Sequence, residues 1–454
     1  MNKTDLIIIG AGPGGYETAV RAAKAGLQVV IIEKQHLGGT CLNAGCIPTK
    51  CLCHSADQIE ELKNSNIEMT TSSLLHFFTS SLLRKKEVVE RLKAGVAQLM
   101  KAPGITLVEG EARFLDPHTI AVGDEQYVGK HIIIATGSKT KFLPIPGAHA
   151  EGVVTSTEIL NLEQLPSRLT IIGGGVIGLE FASIFRSFGV EVTVIEFCKE
   201  ILPNFDRDLA KRLRTSLKKR GIDFHVGAVA KEITPSPSGE KKGGLVVSFE
   251  EKGGIKSVEA DIVLMAVGRV ANLDSLNLSD IGIETTPRGI VVDEYMQTNI
   301  PGIYAIGDVN GLMQLAHVAS AQGKVALEHI LHSFTPSLLH PSPVPSAVFT
   351  VPEAAIVGQT EEQLGEAGIE YEVHKAFYRA NGKALAMEAD DGLVKILTDK
   401  EGKIFGAHIL GAHASDLIHE VTLAMRLGAT IHDIANTIHA HPSLSEILLA
   451  ATEA

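Results

Sequence analysis

Residues 5–34, DLIIIGAGPGGYETAVRAAKAGLQVVIIEK, set two apolar blocks around a glycine-rich turn and a mixed stretch, and read as a buried strand, a tight turn, a helix and a second strand. The same order returns at 169–196, LTIIGGGVIGLEFASIFRSFGVEVTVIE. Each copy later closes on an apolar strand and a small-residue turn, IIIATGS at 132–138 and VLMAVGR at 263–269. Gly10 to Ala135 is 125 positions and Gly173 to Ala266 is 93, so the first copy carries about 32 additional residues. Part of that surplus, residues 74–102 (LLHFFTSSLLRKKEVVERLKAGVAQLMKA), has helical spacing and a charged face. It is expected to pack as a helix on the first domain, with its basic cluster in water. Two strand–helix–strand cassettes predict an α/β chain with two Rossmann-like dinucleotide-binding domains.

The turns sharpen this. Both are GxGxxG: Gly10, Gly12 and Gly15 in the first copy, Gly173, Gly175 and Gly178 in the second. Glycines at those positions allow a tight turn, admit a pyrophosphate to the backbone, and let helix pack on strand. Glu33 and Glu196 each end the second strand of their copy, 18 positions past the last glycine, where a carboxylate can accept hydrogen bonds from ribose hydroxyls. A glycine turn serving only helix packing explains neither carboxylate, and the spacing agrees twice.

A chain of 454 residues is too long for one core. Pro and Ser content marks boundaries at LPIPG (143–147) and TPSLLHPSPVPS (335–346). The expected segments are 1–146, 147–268, a central piece 269–340, and a C-terminal domain 341–454. Apolar content of 45% and charged content of 21% are ordinary for a globular protein. A net charge of −12 argues against a nucleic-acid or anionic-membrane surface. The start, MNKTDLIIIGAGPGG, lacks a signal-peptide core and a transit-peptide bias, and no apolar run approaches the roughly 18 residues that span a bilayer. The expected location is the cytoplasm.

In a reducing compartment structural disulfides are rare, which makes GGTCLNAGCIPTK (38–50) notable: Cys41 and Cys46 stand five positions apart in a chain with five cysteines. On a regular α-helix that spacing is about 7.5 Å of rise, beyond the usual Cα separation of a disulfide. Gly38, Gly39, Asn43 and Gly45 give freedom to depart from a helix, and Pro48 would disturb any helix running through Cys46, so a bridge is feasible. Zinc is the competing use, but no second Cys or His pair at finger-like spacing stands nearby. Cys51, Cys53 and Cys198 read as packed thiols.

Among the 18 histidines, His441 stands out: it precedes Pro442 and lies five residues before Glu446, within reach of a turn that sets the carboxylate on the ring. His439 is its rival, facing the same side of an extended segment.

Taken together, GGTCLNAGCIPTK after a first GxGxxG, the second cassette, YAIGDV at 304–309, LAHVASAQG at 315–323 and HAHPSLSE at 439–446 resemble the dihydrolipoamide dehydrogenases, within the FAD-dependent pyridine nucleotide-disulfide oxidoreductases. The resemblance covers nearly the whole chain. Where the family carries an acidic residue before the glycine of the third motif, Gln322 stands here.

The resemblance implies a first cassette for FAD, a second for NAD, the segment 269–340 completing the FAD domain, and a C-terminal α+β dimerisation domain. It makes Cys41 and Cys46 a redox-active disulfide, with Cys41 the interchange thiol and Cys46 the charge-transfer thiol against the flavin. It selects His441 with Glu446 as acid–base pair, with a cis peptide at Pro442, and brings them to the disulfide of the other subunit of a homodimer. A dithiol attacks a disulfide only as thiolate, which gives that histidine its task.

Lys50 is implied beside the flavin, paired with Glu180 of the second cassette, and Thr136, Gly137, Asp308 and Ala316 join the FAD contacts, with Gly268 on the NAD side. The implied reaction oxidises protein-bound dihydrolipoamide, through Cys41–Cys46 and FAD, to NAD⁺. Glu196 favours NAD over NADP because its carboxylate repels a 2′-phosphate. Lipoyl domains of 2-oxoacid dehydrogenase or glycine cleavage complexes are the implied partners.

Three rivals are weaker on the residues. A mercuric reductase would carry a C-terminal cysteine pair where this chain reads EILLAATEA, and a glutathione reductase would favour NADPH. A non-catalytic nucleotide-binding subunit would not need Cys41, Cys46, His441 and Glu446 together.

Overall fold

The computed structural model describes residues 2–67, 69–236, 244–332 and 343–453. Most of the Pro/Ser-rich boundary segment, residues 335–342, lies outside them, as does the boundary placed at 340. The chain forms two compact units, each assembled from three stretches: Met1–Thr49, Leu83–Lys141 and Gly268–Ser342 in the first, Lys50–Leu82, Phe142–Val267 and Pro343–Ala454 in the second.

In the first unit the two cassette strands, Asn2–Ile9 and Val29–Glu33, pair in parallel in a sheet that, among the described residues, runs Ile105–Glu109, Val29–Glu33, Asn2–Ile9, Glu125–Ile134, Thr119–Val122, Ala112–Asp116, with Ile303–Ala305 also on Glu125–Ile134. Side chains alternate across a strand. Leu6, Ile8, Val29 and Ile31 therefore face one layer, with Ala19 and Ala22 of helix Pro13–Lys24 and Val325 and Ala326 of helix Ala316–Ile330. Ile7, Ile9, Val30 and Ile32 face the other, with Phe114, Leu276 and Val309. A strand covered on both sides has no wet face, which is why LIII and VVII read as unbroken apolar blocks.

The second unit repeats the scheme. Ile222–Val226, Glu191–Glu196, Arg168–Ile172, Ile262–Met265 and Val153–Val154 form a parallel sheet among the described residues. Leu169, Ile171, Val192 and Val194 meet helices Val176–Ser187 and Arg207–Lys219. Ile172, Ile195 and Val263 meet the antiparallel layer Val229–Pro235, Leu245–Glu251, Gly254–Ala260. The C-terminal stretch adds an antiparallel sheet, Ser346–Val348, Ala354–Gly358, Ile404–Leu410, Leu393–Thr398, Glu372–Phe377, whose core includes Ile418 and Val421 of helix Ala414–Leu427 and Ile447 and Leu448 of helix Glu446–Thr452. This is the expected α/β class with an α+β C-terminal part.

One packing expectation is corrected. The helix of the first copy's surplus runs Thr71–Leu99, but its N-terminal half belongs to the second unit. Phe78 sits in that unit's core, edge-on to Phe188 at 5.2 Å between ring centroids, with Leu74, Phe77 and Leu82 packed around it. Aromatic partners in the second cassette decide where the helix goes, and chain position in the first does not.

Candidate active site

The two nucleotide turns are built alike. A Cβ on Gly10 would lie 2.4 Å from the Ala135 carbonyl oxygen, and one on Gly15 1.9 Å from that of Gly10. In the second copy Gly173 approaches the Ala266 oxygen to 2.3 Å and Gly178 that of Gly173 to 2.1 Å. These four glycines serve the closeness of the chain to itself. The middle glycines differ: a Cβ on Gly12 or Gly175 meets nothing within 4 Å.

Gly12 and Gly175 are also the N-caps of their helices, with near-identical angles (φ −70°, ψ −178° and φ −80°, ψ −177°) and no side-chain cap. Each helix thus presents first-turn N–H groups and the positive end of its dipole without a side-chain acceptor. An open glycine at an uncapped helix start fits a dinucleotide pyrophosphate, twice.

The terminal carboxylates are pre-set by the backbone. Glu33 accepts from Ala11 N (2.7 Å) and Gln35 N (2.8 Å). Glu196 accepts from Gly174 N and from Cys198 N (2.6 Å), the same relative positions. In the first unit a cavity of about 400 Å³ is lined by Glu33, Lys34, His36, Lys93 and Glu109, a size that suits part of a cofactor.

The cysteine segment leaves helical geometry at one residue. A short helix, Gly39–Ala44, carries Cys41; Gly45 then takes φ −148°, ψ −115°; a new helix, Cys46–Asn64, starts at the second cysteine. A Cβ on Gly45 would stand 2.9 Å from the Thr40 oxygen and 3.4 Å from the Cys41 Cα, so the chain doubles back against the Cys41 turn. Asn43 Nδ2 holds the approach by donating to the Leu37 and Gly39 carbonyls, both at 2.9 Å. Pro48 falls in the first turn of the second helix, where a missing N–H costs no helical bond. Cys41 is half-buried, Cys46 exposed, and Cys51 and Cys53 are buried. Burial, with the Glu180 carboxylate adding to it, pushes the Cys53 thiol well up.

Elsewhere in the first unit, Arg269 Nε donates to Ser138 Oγ (2.6 Å), which donates to Asp308. Thr136 Oγ1 donates to the Asn272 carbonyl (2.8 Å), and Gly137 (φ +70°) turns the chain beside it. Gly268 turns with φ +100° and open space around it, and Ala316 begins an uncapped helix. Gln322 is buried, its amide oxygen accepting from Gly307 N (2.6 Å) and Asn310 Nδ2 (3.0 Å), a task a neutral acceptor performs.

In the second unit Lys50 Nζ donates to both oxygens of Glu180 (2.8 and 2.9 Å) and stands 4.4 Å from the centroid of the Phe349 ring. The Glu180 side chain is 4% exposed, and Phe349 N (3.2 Å) also donates to it. His441 Nδ1 lies 2.9 Å from Glu446 Oε1, and Ser443 N donates to Glu446 Oε2 at 2.7 Å. The Ser443 N–H and then the His441 ring hold the Glu446 carboxyl below its usual range, so it accepts and Nδ1–H donates. The neutral ring then keeps Nε2 as its lone-pair nitrogen, on a side chain 82% exposed. The His441–Pro442 peptide is cis. His439 is occupied at both nitrogens, Nδ1 by the Thr437 carbonyl (2.9 Å) and Nε2 by Glu420 (3.0 Å).

The structure therefore joins Lys50 to Glu180 and His441 to Glu446, while Cys41 and Cys46 belong to the other unit. Sequence reasoning missed Ser138 and Phe349; Arg269 stood in the VGR turn without being singled out. Among the described residues no group of three His, Cys, Asp or Glu could hold a metal, and no helix is long and apolar enough to cross a membrane.

Two sheets with parallel cassette strands, each with an open glycine at an uncapped helix and a backbone-set carboxylate, define a protein that takes two dinucleotides. A cysteine pair beside one of them adds the class of thiol-dependent oxidoreductases. Residues 4–323 match the family model "Pyridine nucleotide-disulphide oxidoreductase" and residues 344–452 that of its dimerisation domain. The chain belongs to the pyridine nucleotide-disulphide oxidoreductases.

It is 43% identical to a dihydrolipoyl dehydrogenase of Bacillus subtilis, over 99% of this chain and 96% of that one. It is 41% identical to the mitochondrial dihydrolipoyl dehydrogenase of Pisum sativum, over 100% and 91%. A solved Cu(II) complex of the HOCl-induced flavoprotein disulfide reductase RclA from Escherichia coli superposes with a TM-score of 0.89 at 33% identity, covering 100% and 99% of the two chains.

Proposed function

We propose that this flavoprotein oxidises protein-bound dihydrolipoamide to lipoamide with NAD⁺ as acceptor. The relatives named for that reaction span almost the whole chain at 41–43% identity. The observation that carries the chemistry is the His441–Glu446 pair, a base oriented through one nitrogen and open at the other.

In this reading one substrate thiolate attacks Cys41 Sγ; the Cys41–Cys46 bond breaks and Cys46 leaves as thiolate. His441 takes the proton of the second substrate thiol, which attacks the mixed disulfide, closes the lipoyl ring and releases Cys41. Glu446 holds the ring in one tautomer and supports the imidazolium. Two electrons then reside on the cysteine pair. FAD, when bound, exchanges such pairs between a dithiol and a nicotinamide.

Gly12, Glu33, Asp308 and Ala316 are assigned to FAD, Gly175, Glu196 and Gly268 to NAD, and Lys50, backed by Glu180, to supplying positive charge by the flavin. By domain, 1–146 with 269–340 would hold FAD, 147–268 NAD, and 341–454 the subunit interface. The dimerisation-domain match supports a homodimer, and in this reading His441 of one subunit serves the cysteines of the other. Cytoplasmic lipoyl-bearing complexes are the proposed partners.

The test is steady-state turnover of dihydrolipoamide with NAD⁺ and with NADP⁺. A tenfold preference for NADP⁺ would overturn the coenzyme assignment. His441→Gln should slow dithiol oxidation at least a hundredfold, consistent with the usual worth of a general base, while NADH-to-dye transfer stays within about threefold; equal slowing of both would remove His441 from the proton path.

A further inference from the structure

Phe349 follows strand Ser346–Val348, far along the chain from Lys50, yet its ring and its backbone both bear on the Lys50–Glu180 pair. The ring centroid lies 4.4 Å from Lys50 Nζ. The Phe349 N–H donates to Glu180 Oε1 at 3.2 Å, the same oxygen that accepts from Lys50 at 2.8 Å. One buried carboxylate oxygen therefore sets the ammonium and the ring on each other. The face of an aromatic ring attracts a cation without neutralising it.

We propose that Phe349 is a positioning residue for the Lys50 charge, its ring limiting the swing that Glu180 alone would allow the ammonium. The inference rests on the reading of Lys50 as a positive charge by the flavin.

The ring is itself anchored. Helix Val176–Ser187 offers Glu180 and, about one turn on, Ser183; Glu180 accepts from Phe349 N, and Ser183 Oγ from Val351 N at 3.1 Å. Arg220 Nη1 ties the same segment by donating to the Val351 carbonyl and to Ser183 Oγ, both at 2.9 Å. The Phe349 backbone is thus fastened to the helix at 349 and 351, and its side chain packs against the core this helix helps build. Lys50 is the looser partner. Its side chain is 33% exposed against 4% for Glu180, on a flexible four-carbon stem that a contact with one carboxylate leaves free to pivot. Negative charge grows on a flavin as it is reduced, and a cation held in place answers that charge better than one that wanders.

The test varies the charge on the ring face at nearly constant shape. Phe349 is replaced in turn by its mono-, tri- and pentafluoro analogues, in the flavin-loaded protein and in a Lys50→Met/Glu180→Gln background that strands no carboxylate and keeps an acceptor oxygen for Phe349 N. Each added set of fluorines should weaken folding more with Lys50 present than in the background without it. The gap should reach about two- to fivefold in the urea unfolding equilibrium constant over the series, the usual worth of a part-exposed contact between cation and ring. The long-wavelength thiolate-to-flavin absorption of the two-electron-reduced protein should move stepwise to shorter wavelength, because a flavin whose cation is less well placed takes up an electron less readily. That movement should also require Lys50.

Equal stability changes in the two backgrounds would reduce Phe349 to packing, and an absorption band that stays in place while the stabilities separate would show a contact that positions no charge; either result overturns the inference. Should the pentafluoro protein not fold, the mono- and trifluoro steps decide. Loss of the Lys50 reading would be seen separately, as a band at the parent's wavelength when Lys50→Met/Glu180→Gln carries the native Phe349.

Discussion

Gly12 and Gly15 stand three positions apart in one turn and carry opposite burdens. The Gly15 position has backbone where a Cβ would go, 1.9 Å from the Gly10 oxygen, and backbone cannot step aside as a side-chain end can. Gly15→Ala should destabilise the chain by about 1–3 kcal/mol or more, read as a lower urea midpoint of the flavin-free protein. Gly12→Ala adds its methyl to open space at a φ any residue adopts, so stability should fall by no more than about 1 kcal/mol, the difference between glycine and alanine at a helix N-cap. The same methyl stands where a pyrophosphate would approach, so flavin retention through gel filtration should fall at least tenfold. The spacing of the three glycines was plain in the sequence, because one constraint repeats at fixed offsets. Which of them meets chain and which faces open space was not, since that depends on Ala135 lying against Gly10, 125 positions away.

At the scale of elements, strand Leu393–Thr398 carries a lysine into the core. Lys395 pairs in register with His408 of strand Ile404–Leu410, and both are fully buried. Lys395 Nζ donates to Glu361 (2.6 Å) and to Asp206, the N-cap of helix Arg207–Lys219, whose oxygen also accepts from Asp208 N (3.1 Å) and Leu209 N (3.2 Å). Lys395→Met would leave two carboxylates facing a core without their cation and should cost about 3–5 kcal/mol in urea unfolding, with Asp206→Asn in addition recovering part of it. Burial opposes the charge on Asp206, yet His408, Lys395 and the Leu209 N–H together outweigh it, so the folded carboxyl sits below its ordinary value. That stability is complete above the unfolded value and is lost as pH falls through the folded one. The acid-unfolding midpoint of the Lys395→Met protein should accordingly lie at higher pH than that of the parent. Nothing in LVKILT announces this. A lysine inside an apolar run finds its partners on other elements, and periodicity is silent about those. The helix Thr71–Leu99 teaches the same: its period was legible, its aromatic partners in the second cassette were not.

The whole molecule is two units, each threaded from three stretches of chain. The core of the second unit draws Leu52, Cys53, Ile59 and Phe78 from its first stretch, Lys50–Leu82, and Val348, Ala354 and Leu410 from its last, Pro343–Ala454, around the helices of the second cassette. A fragment 142–267 expressed alone would expose what those residues cover. It should melt without a cooperative transition in near-ultraviolet circular dichroism, whereas the full chain melts sharply. Internal repetition made both cassettes visible in the sequence, since a repeat is a one-dimensional pattern. The assembly of a unit from distant stretches is not, and neither is the membership of His441 in one unit and of Cys41 in the other.

Glu33 and Glu196 are each gripped by two amides of their own loops, and this bears on how such a protein could exchange one coenzyme for another. Swapping Glu196 for a cationic residue would change the sign presented to a ribose phosphate and, in the same stroke, strand the amides of Gly174 and Cys198. Any lineage or designer crossing that divide has first to furnish the loop with another oxygen.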